Sequence, residues 1–117
     1  MNDIEILSWS PDGRYQVQAT PWEAGHSHWL LPPHIIDTQT SDRVFGFEDP
    51  RWSADLSTWL SPIRVELKLR KYPGHRAPLG ITVIIECLLR TAEYGDGTHI
   101  ELARLESTLE GMLDRLG

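Results

Sequence analysis

Three histidines stand close together, His26 and His28 one residue apart and His34 six further on. Imidazole nitrogens are metal ligands, and zinc takes three or four N, S or O donors in a tetrahedron. No Cys-x-x-Cys accompanies them, and the one cysteine, Cys87, is far off in the chain. A His-x-His on a loop fixes no geometry, so these side chains are expected to make local hydrogen bonds and no metal is expected. Nucleophilic catalysis needs a serine or cysteine beside a base. There is no Gly-x-Ser-x-Gly, and Cys87 lies in the β-branched, apolar run Ile81–Leu89, where a thiol is a small inert group. Neither Gly-x-Gly-x-x-Gly nor Gly-x-x-x-x-Gly-Lys occurs, so no phosphate cradle is visible. The expectation is a protein without catalytic residues or cofactor.

The tryptophans point to binding instead. There are five, Trp9, Trp22, Trp29, Trp52 and Trp59. Trp22 sits in the polar stretch Pro21–His28, with Trp29 directly after it. Tryptophan supplies a large rigid contact surface and is enriched at the energetic centres of protein interfaces. Residues 1–60 hold nine acidic and three basic residues. The expected contact surface is Trp22, Glu23, His26, His28 and Trp29, with Glu48 and Asp49 from the next loop, and its acidity suits a basic partner.

The elements that would carry this surface are mostly strands. Tyr15, Val17 and Ala19 alternate with polar residues, and Ser10-Pro11-Asp12-Gly13 before them is turn chemistry throughout. Ile63, Val65, Leu67 and Leu69 alternate with Arg64, Glu66, Lys68 and Arg70, the pattern of a strand buried on one face. The reading is an antiparallel sheet of six or seven strands, near 3–9, 14–20, 28–37, 43–48, 57–61, 63–72 and 80–93. Thr98-His99-Ile100-Glu101 has the form of a capping box. Leu102, Leu105, Leu109, Met112 and Leu116 then recur at helical spacing. One amphipathic helix is therefore expected over 98–116, packed on the sheet. The expected core is Trp9, Val17, Ile36, Phe45, Trp52, Val65, Leu67, Val83, Ile85, Leu105 and Leu109.

Two short motifs recur. Trp-Ser-x-Asp occurs at 9–12 and 52–55, and Ile-Ile-acid at 35–37 and 84–86. Repeats of this period with several strands each are typical of propeller blades. The run Trp9-Ser10-Pro11-Asp12-Gly13-Arg14-Tyr15, with Ile36-Asp37-Thr38-Gln39-Thr40 and Val44–Phe47 after it, resembles one blade of the WD-repeat and TolB-type β-propellers. The resemblance implies two blade-like units, 1–48 and 49–94, followed by the helix, all in one domain of 117 residues. A closed propeller takes roughly four to eight blades. Two units imply a curved sheet or a small open sandwich, mainly β, with the helix over its apolar face.

The chain carries a net charge of −6 and a pI near 5.2, which disfavours nucleic acid as a partner. No apolar run reaches the roughly 20 residues of a membrane span, and the N-terminus lacks the features of a signal peptide, so the expected location is the cytoplasm. A small acidic α+β protein of this build resembles, by type alone, the immunity proteins of bacterial toxin systems. The expected function is a non-enzymatic protein-binding module, most concretely an inhibitor that covers the active site of a basic toxin domain. Two alternatives stay open: an assembly subunit that dimerises through its helix or a sheet edge, and a small-molecule or metal-binding protein using His26, His28 and His34.

Overall fold

A computed structural model describes residues 3–25, 29–72 and 80–116. The protein is mainly β, all strand pairs are antiparallel, and one helix lies at the C-terminal end. The strands are more numerous and shorter than the sequence reading has them, eleven in three sheets among the described residues.

The first sheet holds β1 (Glu5–Trp9), β2 (Tyr15–Ala19), β5 (Pro33–Asp37) and β6 (Asp42–Gly46), in that order. A two-stranded hairpin, β3 (Trp22–Glu23) and β4 (Trp29–Leu30), is inserted between β2 and β5. The second sheet holds β7 (Trp52–Trp59), β8 (Arg64–Lys71), β9 (Ile81–Glu86), β10 (Thr91–Tyr94) and β11 (Thr98–Glu101), each beside its neighbour in sequence. A 3-10 turn, Leu102–Arg104, leads into α1 (Leu105–Leu116).

Turn chemistry sets these boundaries. In the β1–β2 turn Ser10 Oγ donates to Asp12 Oδ1 at 2.8 Å, while the Arg14 amide donates to the same oxygen at 3.1 Å. Gly13 takes the left-handed conformation that closes such a turn, at φ 78°. The β5–β6 and β9–β10 turns are alike. Each follows Ile-Ile-acid, the acid's carboxylate accepts a backbone amide (Gln39 and Leu89), and a left-handed residue ends the turn, Ser41 at φ 65° and Arg90 at φ 57°. An L-residue in this region costs roughly 1–2 kcal/mol, a cost glycine avoids while losing more freedom on folding. Arg90→Gly is therefore expected to stabilise the fold by about 0.5 kcal/mol or slightly more, read as a shift of the urea midpoint.

The inner faces of both sheets and α1 share one hydrophobic cluster that includes Val17, Ile35, Phe45, Trp52, Val65, Leu67, Val83, Ile85, Leu105 and Leu109. Trp59 joins the sheets, its ring stacked on Tyr15 at 6.3 Å between centroids and its indole N–H donated to Ser8 Oγ at 2.9 Å.

Four expectations are corrected. Trp9 is 52% exposed: it pairs with Gln16 on the outer face of the first sheet, because an extra residue at Leu7 bulges β1 and turns Trp9 outward. Ile36 is half-buried and Ile35 fully buried, since Ile35 is the member of the pair that shares the inner face with Val17. Thr98–Glu101 is no helix cap. It pairs with β10 from Thr98↔Tyr94 to Glu101↔Thr91, and the α-helix begins at Leu105. The expected strand over 80–93 is two, folded back at Cys87–Arg90.

Candidate functional site

The β3–β4 hairpin is tied to the body of the protein on both sides. Trp22 is half-buried and donates its indole N–H to the Pro50 carbonyl at 2.9 Å. Leu30, opposite Trp22 in the hairpin, is fully buried. Next to it, the Leu31 amide donates to Ser53 Oγ at 2.9 Å, and the Leu31 carbonyl accepts from Ala54 at 3.0 Å. Strand alternation then sends the other pair outward: Glu23 and Trp29 face each other in register, both exposed, with Trp29 58% exposed. Trp22 positions the hairpin, and Trp29 is the ring it presents. His26 and His28 lie outside the described residues.

The tie to Pro50 sets the hairpin beside the loop that carries Glu48 and Asp49. This loop is itself held by α1. Glu106 accepts the backbone amides of Glu48 at 2.8 Å and Asp49 at 3.0 Å. Asp49 is bound by Arg51 at 2.8 Å and Lys71 at 3.3 Å, and Lys71 also binds Glu110 at 2.5 Å. Glu110 in turn accepts the Trp52 indole N–H at 3.0 Å. Asp49 is thus compensated within the fold, whereas the Glu48 side chain is exposed.

The Arg51 side chain, and after it the backbone amide of Arg51 and Lys71, hold the Asp49 carboxyl well below the usual carboxylate range. A carboxylate whose folded pKa is depressed adds stability above its unfolded pKa, roughly 3.9, and that stability is lost as pH falls below it. Asp37 behaves alike, lowered mainly by the Arg14 guanidinium, whose Nη2 is 3.0 Å away. The melting temperature is expected to drop as the pH falls from about 4 toward 2, and the drop should be smaller in Asp49→Asn. Equal drops in both proteins would show that the Asp49 cluster does not contribute.

Beyond Glu48 lies an open groove of about 920 Å³ between β6, the β9–β10 turn and the start of the C-terminal helix. Phe45 and Leu102 line it with Leu89, Glu48, Glu101 and Glu106. The sequence reading missed its helical wall. The signal was present as Glu106 and Glu110, four apart on the side of the helix that meets the loop.

Two of the residues with catalytic potential, His34 and Cys87, are engaged within the fold. His34 Nε2 lies 3.1 Å from Gln18 Oε1, and among the described residues no three metal-ligating side chains converge. Cys87 is buried, and burial pushes its thiol up to about 12. Its labelling by a maleimide at pH 8 is expected to be at least a hundredfold slower in the native protein than in urea. Similar rates would mean that the β9–β10 turn opens readily.

No family model matches the chain, and neither a curated protein nor a solved structure shows significant similarity to it. Among the described residues, no helix is long and apolar enough to cross a membrane.

Proposed function

We propose that the protein is a non-enzymatic binding module that engages another protein through the β3–β4 hairpin and the acidic lip beside it. The observation that carries this reading is the pair Glu23–Trp29. A tryptophan 58% exposed, on a hairpin whose other tryptophan is fastened to Pro50, is an anchor ordered before binding. Ordering in advance reduces the entropy lost on association. Glu23 and Glu48 favour a partner with a basic patch, in keeping with a net charge of −6. A toxin domain with a basic active site, covered by this surface, is the concrete form of the proposal, in line with the likeness of type to immunity proteins.

The test is a photo-crosslinking residue placed at Trp29, and at Leu56 on the second sheet as a control, in the cell that encodes the protein. A discrete adduct with one other protein from position 29, absent from position 56, is expected. Equal adducts from both positions, or turnover of a substrate by the purified protein, would overturn the reading.

A further inference from the structure

The two sheets are built on the same ladder. Across the first sheet, Trp9, Gln16, Ile36 and Arg43 stand side by side in register. Across the second, Trp59, Val65, Ile85 and Ala92 do the same. Members of the two rows are 49 or 50 residues apart throughout. The left-handed residues Ser41 and Arg90, 49 apart, close the equivalent turns. In this register Trp9 corresponds to Trp59 and not to Trp52.

Equivalent rows have opposite fates. In the second sheet the row faces inward: Val65, Ile85 and Ala92 are buried, and Trp59 packs on Tyr15 of the first sheet. In the first sheet it faces outward. Trp9 is 52% exposed, and Ile6, from the neighbouring row, 47% exposed. The row that lies outside on the first sheet thus matches the one that lies inside on the second, where Trp59 makes the contact between the sheets.

Three features fit this face for burial. The polar side chains are bonded to one another, Gln18 Nε2 to Gln16 Oε1 at 2.6 Å and His34 Nε2 to Gln18 Oε1 at 3.1 Å, so covering them leaves few groups unpaired. Neither row contains a carboxylate, in a chain with 17 of them. Burial, and next the charge of Arg43, lower the pKa of His34, which leaves Arg43 as the one charge of the two rows at neutral pH. The opposite end of the molecule is different. The outer face of the second sheet presents Arg64, Glu66, Lys68 and Glu93, which are costly to bury unpaired.

We propose that the outer face of the first sheet binds the same face of a second copy of this chain, forming a two-fold symmetric dimer. An axis parallel to the strands between β2 and β5 sets β1 of one copy over β6 of the other. Each Trp9 then lies against the Arg43 of the second copy, a cation–π pairing, while each Ile36 faces Gln16 and each Ile6 faces Gly46 of the second copy. A head-to-tail arrangement would instead lay this row on the charged face of the second sheet and would leave one such row uncovered at the end of every stack.

The full chain is tested by sedimentation velocity from 1 to 300 μM, with Trp9→Lys, Trp29→Lys and Leu56→Lys beside it. A dimer mass that appears with concentration is expected, together with at least a tenfold weaker association for Trp9→Lys at an unchanged melting temperature. Trp29→Lys and Leu56→Lys should dimerise as the parent does. A parent that stays monomeric at 300 μM overturns the proposal, as does a dimer that Trp9→Lys leaves intact. If Trp9→Lys lowers the melting temperature, Ile6→Lys takes its place and the same two outcomes decide. Loss of the dimer in Trp29→Lys alone would assign the self-contact to the hairpin. The dimer is independent of the hairpin's partner, so either can fail without the other.

Discussion

Trp52→Ala is expected to destabilise the fold by about 3–5 kcal/mol, the range for truncating a buried large aromatic. Trp52 is fully buried and stacks on Phe47 at 5.0 Å between centroids. Its indole N–H is donated to Glu110, and the Lys71 ammonium lies 5.7 Å from its ring centroid. The truncation would empty a core site and also remove a donor from Glu110, which ties α1 to Trp52 of β7 and Lys71 of β8. Trp52→Phe separates the two contributions. It keeps most of the apolar volume and loses the N–H, and should cost about 1–2 kcal/mol, in the range for a hydrogen bond to a charged group with some lost packing. Urea melts of the two variants measure both. A loss below about 1 kcal/mol for Trp52→Ala would mean that the helix and the second sheet are not held together at this residue.

Trp29→Ala carries the second large effect, on binding and not on stability. Trp29 is exposed, and among the described residues no hydrogen bond or ring contact ties its side chain to the body of the protein in the way that Trp22 is tied to Pro50. Its removal should change stability by less than about 0.5 kcal/mol, as for surface positions generally. As an interface anchor it should cost about 2 kcal/mol or more of binding, roughly a thirtyfold rise in Kd. Trp22→Ala is expected to behave differently, lowering both stability and binding because it releases the hairpin from Pro50. Glu23→Lys should act mainly on the association rate and make it less dependent on salt.

Much of the fold was legible because period-2 alternation and turn residues agree. Ile63–Arg70 alternates strictly, and Ser10–Gly13 ends β1 where the sequence says it should. The failures have physical causes. Thr98–Glu101 satisfies a capping box, yet the same four residues also fit a strand, and pairing with β10 prevailed over the local cap. Trp9 looked like core because it was matched to Trp52 on Trp-Ser-x-Asp. A one-residue bulge at Leu7 changes which face a side chain takes, and sequence pattern alone does not reveal it. Of the candidate site, Trp22, Trp29, Glu23 and Glu48 were legible as aromatic and acidic residues in polar segments. Which tryptophan is tied and which is free was not, because that depends on the Pro50 carbonyl, 28 residues from Trp22. The neutralisation of Asp49 by Arg51 and Lys71 was equally hidden, since Lys71 arrives from β8.

The central claim is that the protein acts by binding through a preordered hairpin. Its most direct measurement is a calorimetric titration of the partner crosslinked at position 29 into the parent protein and into Trp29→Ala, with both melting temperatures recorded. The account predicts binding to the parent, at least thirtyfold weaker binding to Trp29→Ala, and melting temperatures that agree. Equal affinity for the two proteins, or a loss of affinity that accompanies unfolding of the variant, would contradict it.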